Sequence, residues 1–204
     1  FSLLLTILIG LPASAGMIIF AQPILNLLFP NANSGAFIFQ ISSISVIFIL
    51  LNQTITGILQ GAGKQFIPMI SLVAGVIVKL IINITLVKIN PQDFILGGTA
   101  GAAVGSVACY IVTFIINTIF LKKYINIKID KKNCIIKPIL ATIIISIVAT
   151  SIFSILKTNL KEQIATIIAI AITIVTYIFM ILAMKIFNKK KDDIVIKFYM
   201  NKYC

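Results

Sequence analysis

The chain contains no histidine, no tryptophan and no arginine, and its acids are limited to Asp93, Asp130, Glu162, Asp192 and Asp193. Without histidine the commonest general base and metal ligand is missing, and so few carboxylates leave little material for acid–base or metal chemistry. The chain is therefore expected not to be an enzyme and to need no cofactor and no metal. Its three cysteines, Cys109, Cys134 and Cys204, are far apart and form no CxxC pair, so neither a disulfide framework nor a metal knuckle is supported. Charge is also scarce. Only 11% of the residues are charged, against about 25% in a soluble domain, and the mean hydropathy is +1.14. A water-soluble globular fold is excluded.

What the sequence has instead is long apolar runs. A helix needs about 20 apolar residues to cross about 30 Å of hydrocarbon, and six runs meet that length: 3–22, 36–58, 67–87, 97–121, 139–156 and 164–184. They are continuously apolar rather than alternating, so helices are expected and barrel strands are not. The chain opens at Phe1 inside the first run, without an initiator Met or a charged leading segment. It is expected to be the C-terminal piece of a longer protein.

All 17 basic residues are lysines, and their distribution gives a topology. The connections at 23–35, 88–96 and 157–163 carry Lys88, Lys157 and Lys161. The opposite side carries Lys64, then Lys122, Lys123, Lys128, Lys131, Lys132 and Lys137, then Lys185, Lys189, Lys190, Lys191, Lys197 and Lys202. Thirteen lysines against three place the richer side in the cytoplasm, and with it both termini. The +12 charge comes from these span ends and is accompanied by no base-stacking platform, so no nucleic-acid partner is expected. Membrane lipids are the expected partners of the basic loops, and the tail after residue 193 is mildly amphipathic.

Four spans carry features beyond length. In span three Lys79 lies twelve residues past Ile67, about 18 Å into the bilayer at 1.5 Å per residue. A central lysine costs about 2.5–3.5 kcal/mol on insertion scales, an amount its apolar neighbours roughly offset. Either Lys79 faces a hydrated cavity with Asn83 one turn on, where an ammonium attracts phosphate, or it caps neighbouring carbonyls or snorkels outward. In span two Gln53, Thr56 and Gln60 form one stripe, which must face other helices or a water-filled route. Span four sets Gly97, Gly101 and Gly105 four residues apart, a face for close helix packing. Span one holds Pro12 and Pro23, which predict a mid-membrane bend followed by a short interfacial helix. Spans five and six look peripheral.

The strings GLPASAGMIIFAQPILNLLF, QTITGILQGAGKQFIPM, GVIVKLIINITLV and GGTAGAAVGSVACY resemble the stage V sporulation protein B-like flippases of the multidrug/oligosaccharidyl-lipid/polysaccharide exporter superfamily. The resemblance implies an all-α integral membrane protein corresponding to the last six of fourteen spans. Residues 1–121 would be four helices of the second exporter lobe, 122–138 a basic cytoplasmic loop, 139–187 two appended helices and 188–204 a basic cytoplasmic tail. It also implies alternating-access transport of a lipid-linked oligosaccharide or lipid II-like precursor, for peptidoglycan, spore-cortex or other envelope polysaccharide. The N-terminal lobe of the same chain would be the other partner. Lys79, Asn83, Gln53, Thr56 and Gln60 are the candidate substrate-binding residues. A cation-coupled multidrug antiporter is the alternative, weakened because the five acids fall outside the spans.

Overall fold

Isoleucine-rich runs form helices here because a backbone in hydrocarbon must satisfy every N–H and C=O within its own segment. A computed structural model describes residues 2–29, 35–125 and 136–183. Its order is α1 (Ser2–Ile19), α2 (Ala21–Leu28), α3 (Ala36–Gly61), α4 (Phe66–Leu86), α5 (Thr99–Tyr124), α6 (Lys137–Asn159) and α7 (Glu162–Ala183). All of these except α2 are long and apolar enough to cross a membrane. The expected spans and the six long helices coincide to within a few residues at each end. The basic residues Lys128, Lys131 and Lys132, the tail 188–204, Asp130, Asp192, Asp193, Cys134 and Cys204 lie outside the described residues.

The helices pack as a row: α4 on α5, α5 on α3, α3 on α1, and α1 on the α6–α7 pair, with α2 touching α3 and α7. Polarity is distributed inside out. Ser43, Asn52, Ser71, Thr113, Asn117 and Thr166 are buried, whereas Ile70, Ile77, Ile147, Val175 and Phe179 are exposed. Such a surface is stable against lipid and unstable against water.

Span one differs from its expectation in where it breaks. α1 runs as one helix through Pro12, and the interruption falls at Phe20 (φ −91°, ψ 15°). Phe20 still donates to Gly16 O at 2.9 Å and Ile24 to Phe20 O at 2.8 Å. Pro23 has no N–H to give Ile19, so the helix is interrupted there and resumes as the short α2. Pro12 similarly frees the carbonyl of Leu8, and Tyr177 of α7 donates its hydroxyl to that oxygen at 2.6 Å. A neighbouring helix thus satisfies what the proline orphans.

The glycine face of span four is corrected at one position. Gly97 lies before α5, in the connection, where an added Cβ would stand 2.5 Å from Ile89 O. Gly98 follows at φ 59° as the N-cap of α5. The helical face consists of Gly101 against Leu86 and Gly105 against Asn83. α4 answers it with Gly75, packed on Cys109 and Thr113. Small residues on both helices bring α4 and α5 into close antiparallel contact.

Candidate functional site

Lys79 lies in the body of α4, one helical turn beyond Gly75 and one before Asn83, and its side chain is half-buried. Its backbone carbonyl is at the α5 contact, 3.4 Å from a Cβ placed on Gly105. Among the described residues its ammonium has no hydrogen bond and no carboxylate partner. Asn83 is half-buried, and its Oδ1 is sealed against Gly105 without a hydrogen-bond partner among the described residues. An unpaired amide oxygen inside a helix contact is costly, so Asn83 and the neighbouring lysine form the polar weak point of the α4–α5 seam.

The α3 stripe divides from the core of that helix. Asn52, Ile55 and Leu59 turn inward and are buried, whereas Gln53 and Gln60 are exposed and Thr56 is half-buried. Among the described residues none of these three side chains makes a hydrogen bond. No described helix covers the stripe, and no hydrogen bond or ion pair joins it to Lys79 or Asn83. The two described acids sit elsewhere: Asp93 in the α4–α5 connection, and Glu162 as the first residue of α7 rather than in the preceding loop. Glu162 pairs with Lys157 at 3.4 Å in an exposed contact and accepts from Asn26 Nδ2 at 3.4 Å.

Two arrangements were not singled out by sequence. The first is a buried polar chain across α4, α5 and α3. Ser71 Oγ donates to Asn117 Oδ1 at 2.5 Å, Asn117 Nδ2 to Asn52 Oδ1 at 3.1 Å, and Asn52 Nδ2 to Tyr110 O at 2.9 Å. Every link is satisfied, so this chain fixes helix register rather than offering a ligand site. The participation of Ser71 needed the antiparallel register of α4 on α5.

The second is an apolar crevice of about 510 Å³ between α1, α2 and the α6–α7 pair, walled by residues such as Leu8, Pro12, Gly16, Phe20, Ala149 and Ile170. Its polar lining consists of Ser146, Thr173 and Tyr177. Each hydroxyl is already donated to a carbonyl: Ser146 to Thr142 at 2.7 Å, Thr173 to Ala169 at 2.7 Å and Tyr177 to Leu8 at 2.6 Å. A wall without free donors is complementary to hydrocarbon.

Comparison with known proteins adds a family likeness to this geometry. Residues 1–85 match the MatE family model, which covers α1 to the end of α4 and includes Lys79, Asn83 and the α3 stripe. That family comprises transporters, not enzymes. A stretch of 86 residues is 41% identical to the uncharacterized membrane protein YabM of Bacillus subtilis (strain 168), covering 42% of this chain and 16% of that protein. No solved structure matches the chain. Together with the six spanning helices, these likenesses support a multi-pass membrane protein.

Proposed function

We propose that the chain is part of a flippase for a lipid-linked glycan precursor in envelope polysaccharide synthesis, of the stage V sporulation protein B-like kind, working by alternating access. The observation that carries this reading is the apolar crevice, whose hydrocarbon lining suits the chain of a lipid-linked substrate. Lys79 and Asn83 on α4, with Gln53, Thr56 and Gln60 on α3, would serve the anionic and sugar-bearing part. A half-buried lysine without a carboxylate partner among the described residues attracts a phosphate, and exposed glutamines in a spanning helix favour a hydrated route over lipid. The crevice and Lys79 lie at opposite ends of the helix row, so a substrate engaging both must be long. In this reading α1–α5 act as the moving lobe, α6 and α7 as the appended pair, and the lysine-rich ends face the cytoplasm.

Depletion of the protein in its own cell tests the reading. Accumulation of a lipid-linked precursor on the cytoplasmic leaflet supports it. Unchanged precursor with heightened sensitivity to cationic drugs overturns it in favour of the cation-coupled multidrug antiporter, which the MatE likeness accommodates equally well.

A further inference from the structure

A basic and aromatic cluster at the α3–α4 turn has no part in the transport reading. α3 closes in a Schellman motif: Gly63, at φ 74°, donates its N–H to Gln60 O at 2.9 Å, and Lys64 donates to Leu59 O at 2.9 Å. These two bonds hold the backbone of Lys64 in one direction. Its ammonium stands 5.1 Å from the centroid of the Tyr124 ring at the end of α5, and Lys123 Nζ stands 5.8 Å from the same centroid. Phe120 stacks with that ring at 6.2 Å and 8°. Two lysines from different parts of the chain are therefore gathered around one exposed, stacked tyrosine.

Among the described residues no carboxylate neutralises them. The described carboxylates are Asp93 and Glu162. Asp93 follows the far end of α4, and Glu162 opens α7 after α6 has crossed from its basic end. The cluster also sits where the spanning helices α3 and α5 end and α4 begins. That is headgroup depth, the level at which tyrosine is favoured. We infer that Lys64, Lys123 and Tyr124 form a binding site for the phosphate of an anionic phospholipid headgroup in the leaflet at this end of the bundle. The two ammonium groups donate to the phosphate oxygens, and the ring fills the apolar side beneath. A phosphatidylcholine headgroup brings its own cation toward the two lysines and binds less well.

The test is native mass spectrometry of the protein in neutral detergent, titrated with phosphatidylglycerol or phosphatidylcholine. Lys64→Gln is expected to weaken phosphatidylglycerol binding about fivefold, and Lys64→Gln with Lys123→Gln about 25-fold, as follows from the usual worth of one lysine at an anionic surface. Lys64→Arg keeps the charge and retains binding. Lys88→Gln makes the same change of net charge at the other end of α4 and leaves binding unaltered. Equal weakening by Lys88→Gln and Lys64→Gln overturns the site, because only net charge then matters. Failure of Lys64→Arg to bind overturns it as well. Displacement of the lipid by millimolar inorganic phosphate overturns the lipid assignment and leaves a general anion site.

Discussion

Tyr177 donates its hydroxyl to the carbonyl of Leu8 at 2.6 Å, and that carbonyl is the acceptor that Pro12, four residues on, cannot serve. A helix-disrupting proline in α1 is thus matched by a phenol from α7, 169 residues away. The pairing ties the peripheral pair to the row of helices at the wall of the crevice. Tyr177→Phe removes the donor and keeps the ring. It is expected to cost about 0.6–1.7 kcal/mol, the range for hydrogen bonds between membrane helices. In a Pro12→Ala background the alanine N–H serves Leu8, so the same substitution should cost less than half as much. Thermal melts of the four proteins form a double-mutant cycle. Zero coupling would mean that the hydroxyl does not compensate for the proline.

The buried chain from Ser71 through Asn117 to Asn52 gives a second prediction, sharpened by its neighbour. Asn117→Ala strips Ser71 and Asn52 of a partner and leaves a void, with an expected loss of about 1–3 kcal/mol. Thr118 Oγ1 is buried without a partner among the described residues, so Thr118→Val should be neutral or stabilising. If the two variants melt alike in detergent, the polar chain contributes no stability.

How legible these features were depends on the distance over which each is determined. The six spans follow from local hydropathy and were readable in sequence. Gly101 and Gly105 were readable because their spacing lies within one helix. Gly97 was misplaced because Gly98, at positive φ, starts α5 after it. Gly75 and Ser71 went unread because their partners, Cys109, Thr113 and Asn117, are fixed only by the register of two antiparallel helices. The crevice combines α1 with α6 and α7, and no periodicity in any one of them encodes it. Gln53 and Gln60 were readable as a stripe, but not as the face of α3 left uncovered by the described helices.

A third prediction separates glycines by contact rather than by propensity. Gly105 and Gly57 both lie within spanning helices, and a Cβ on Gly105 would run into Asn83 Oδ1 whereas one on Gly57 meets nothing within 4 Å. Gly57→Ala should be neutral or stabilising by up to about 1 kcal/mol, the usual helix gain. Gly105→Ala should lower the melting temperature, and Gly101→Leu should lower the yield of folded protein further. Lipid-facing Ile147→Leu, at a 62% exposed position, should do neither. Equal behaviour of Gly105→Ala and Gly57→Ala would remove the close-packed face from the account of α4 on α5.

The last prediction concerns Lys79, the one lysine in the body of a spanning helix among the described residues. A structural lysine and a substrate-binding lysine differ in how they respond to charge. If Lys79 only snorkels, replacing it by methionine removes a desolvation cost and leaves transport intact. If it faces a hydrated route and attracts phosphate, Lys79→Met in the whole protein inserts as well or better while transport falls. Lys79→Glu should then reduce transport further, because a carboxylate repels the anionic group. Lys79→Arg keeps the charge and should preserve part of the activity. Asn83→Ala should improve stability, since it removes an amide oxygen that has no partner among the described residues. Transport is read as growth of a flippase-deficient strain, with membrane expression measured in the same cells. A well-expressed Lys79→Glu protein that supports full growth would assign the lysine to structure alone, and the anionic part of any substrate would then have to be held by other residues.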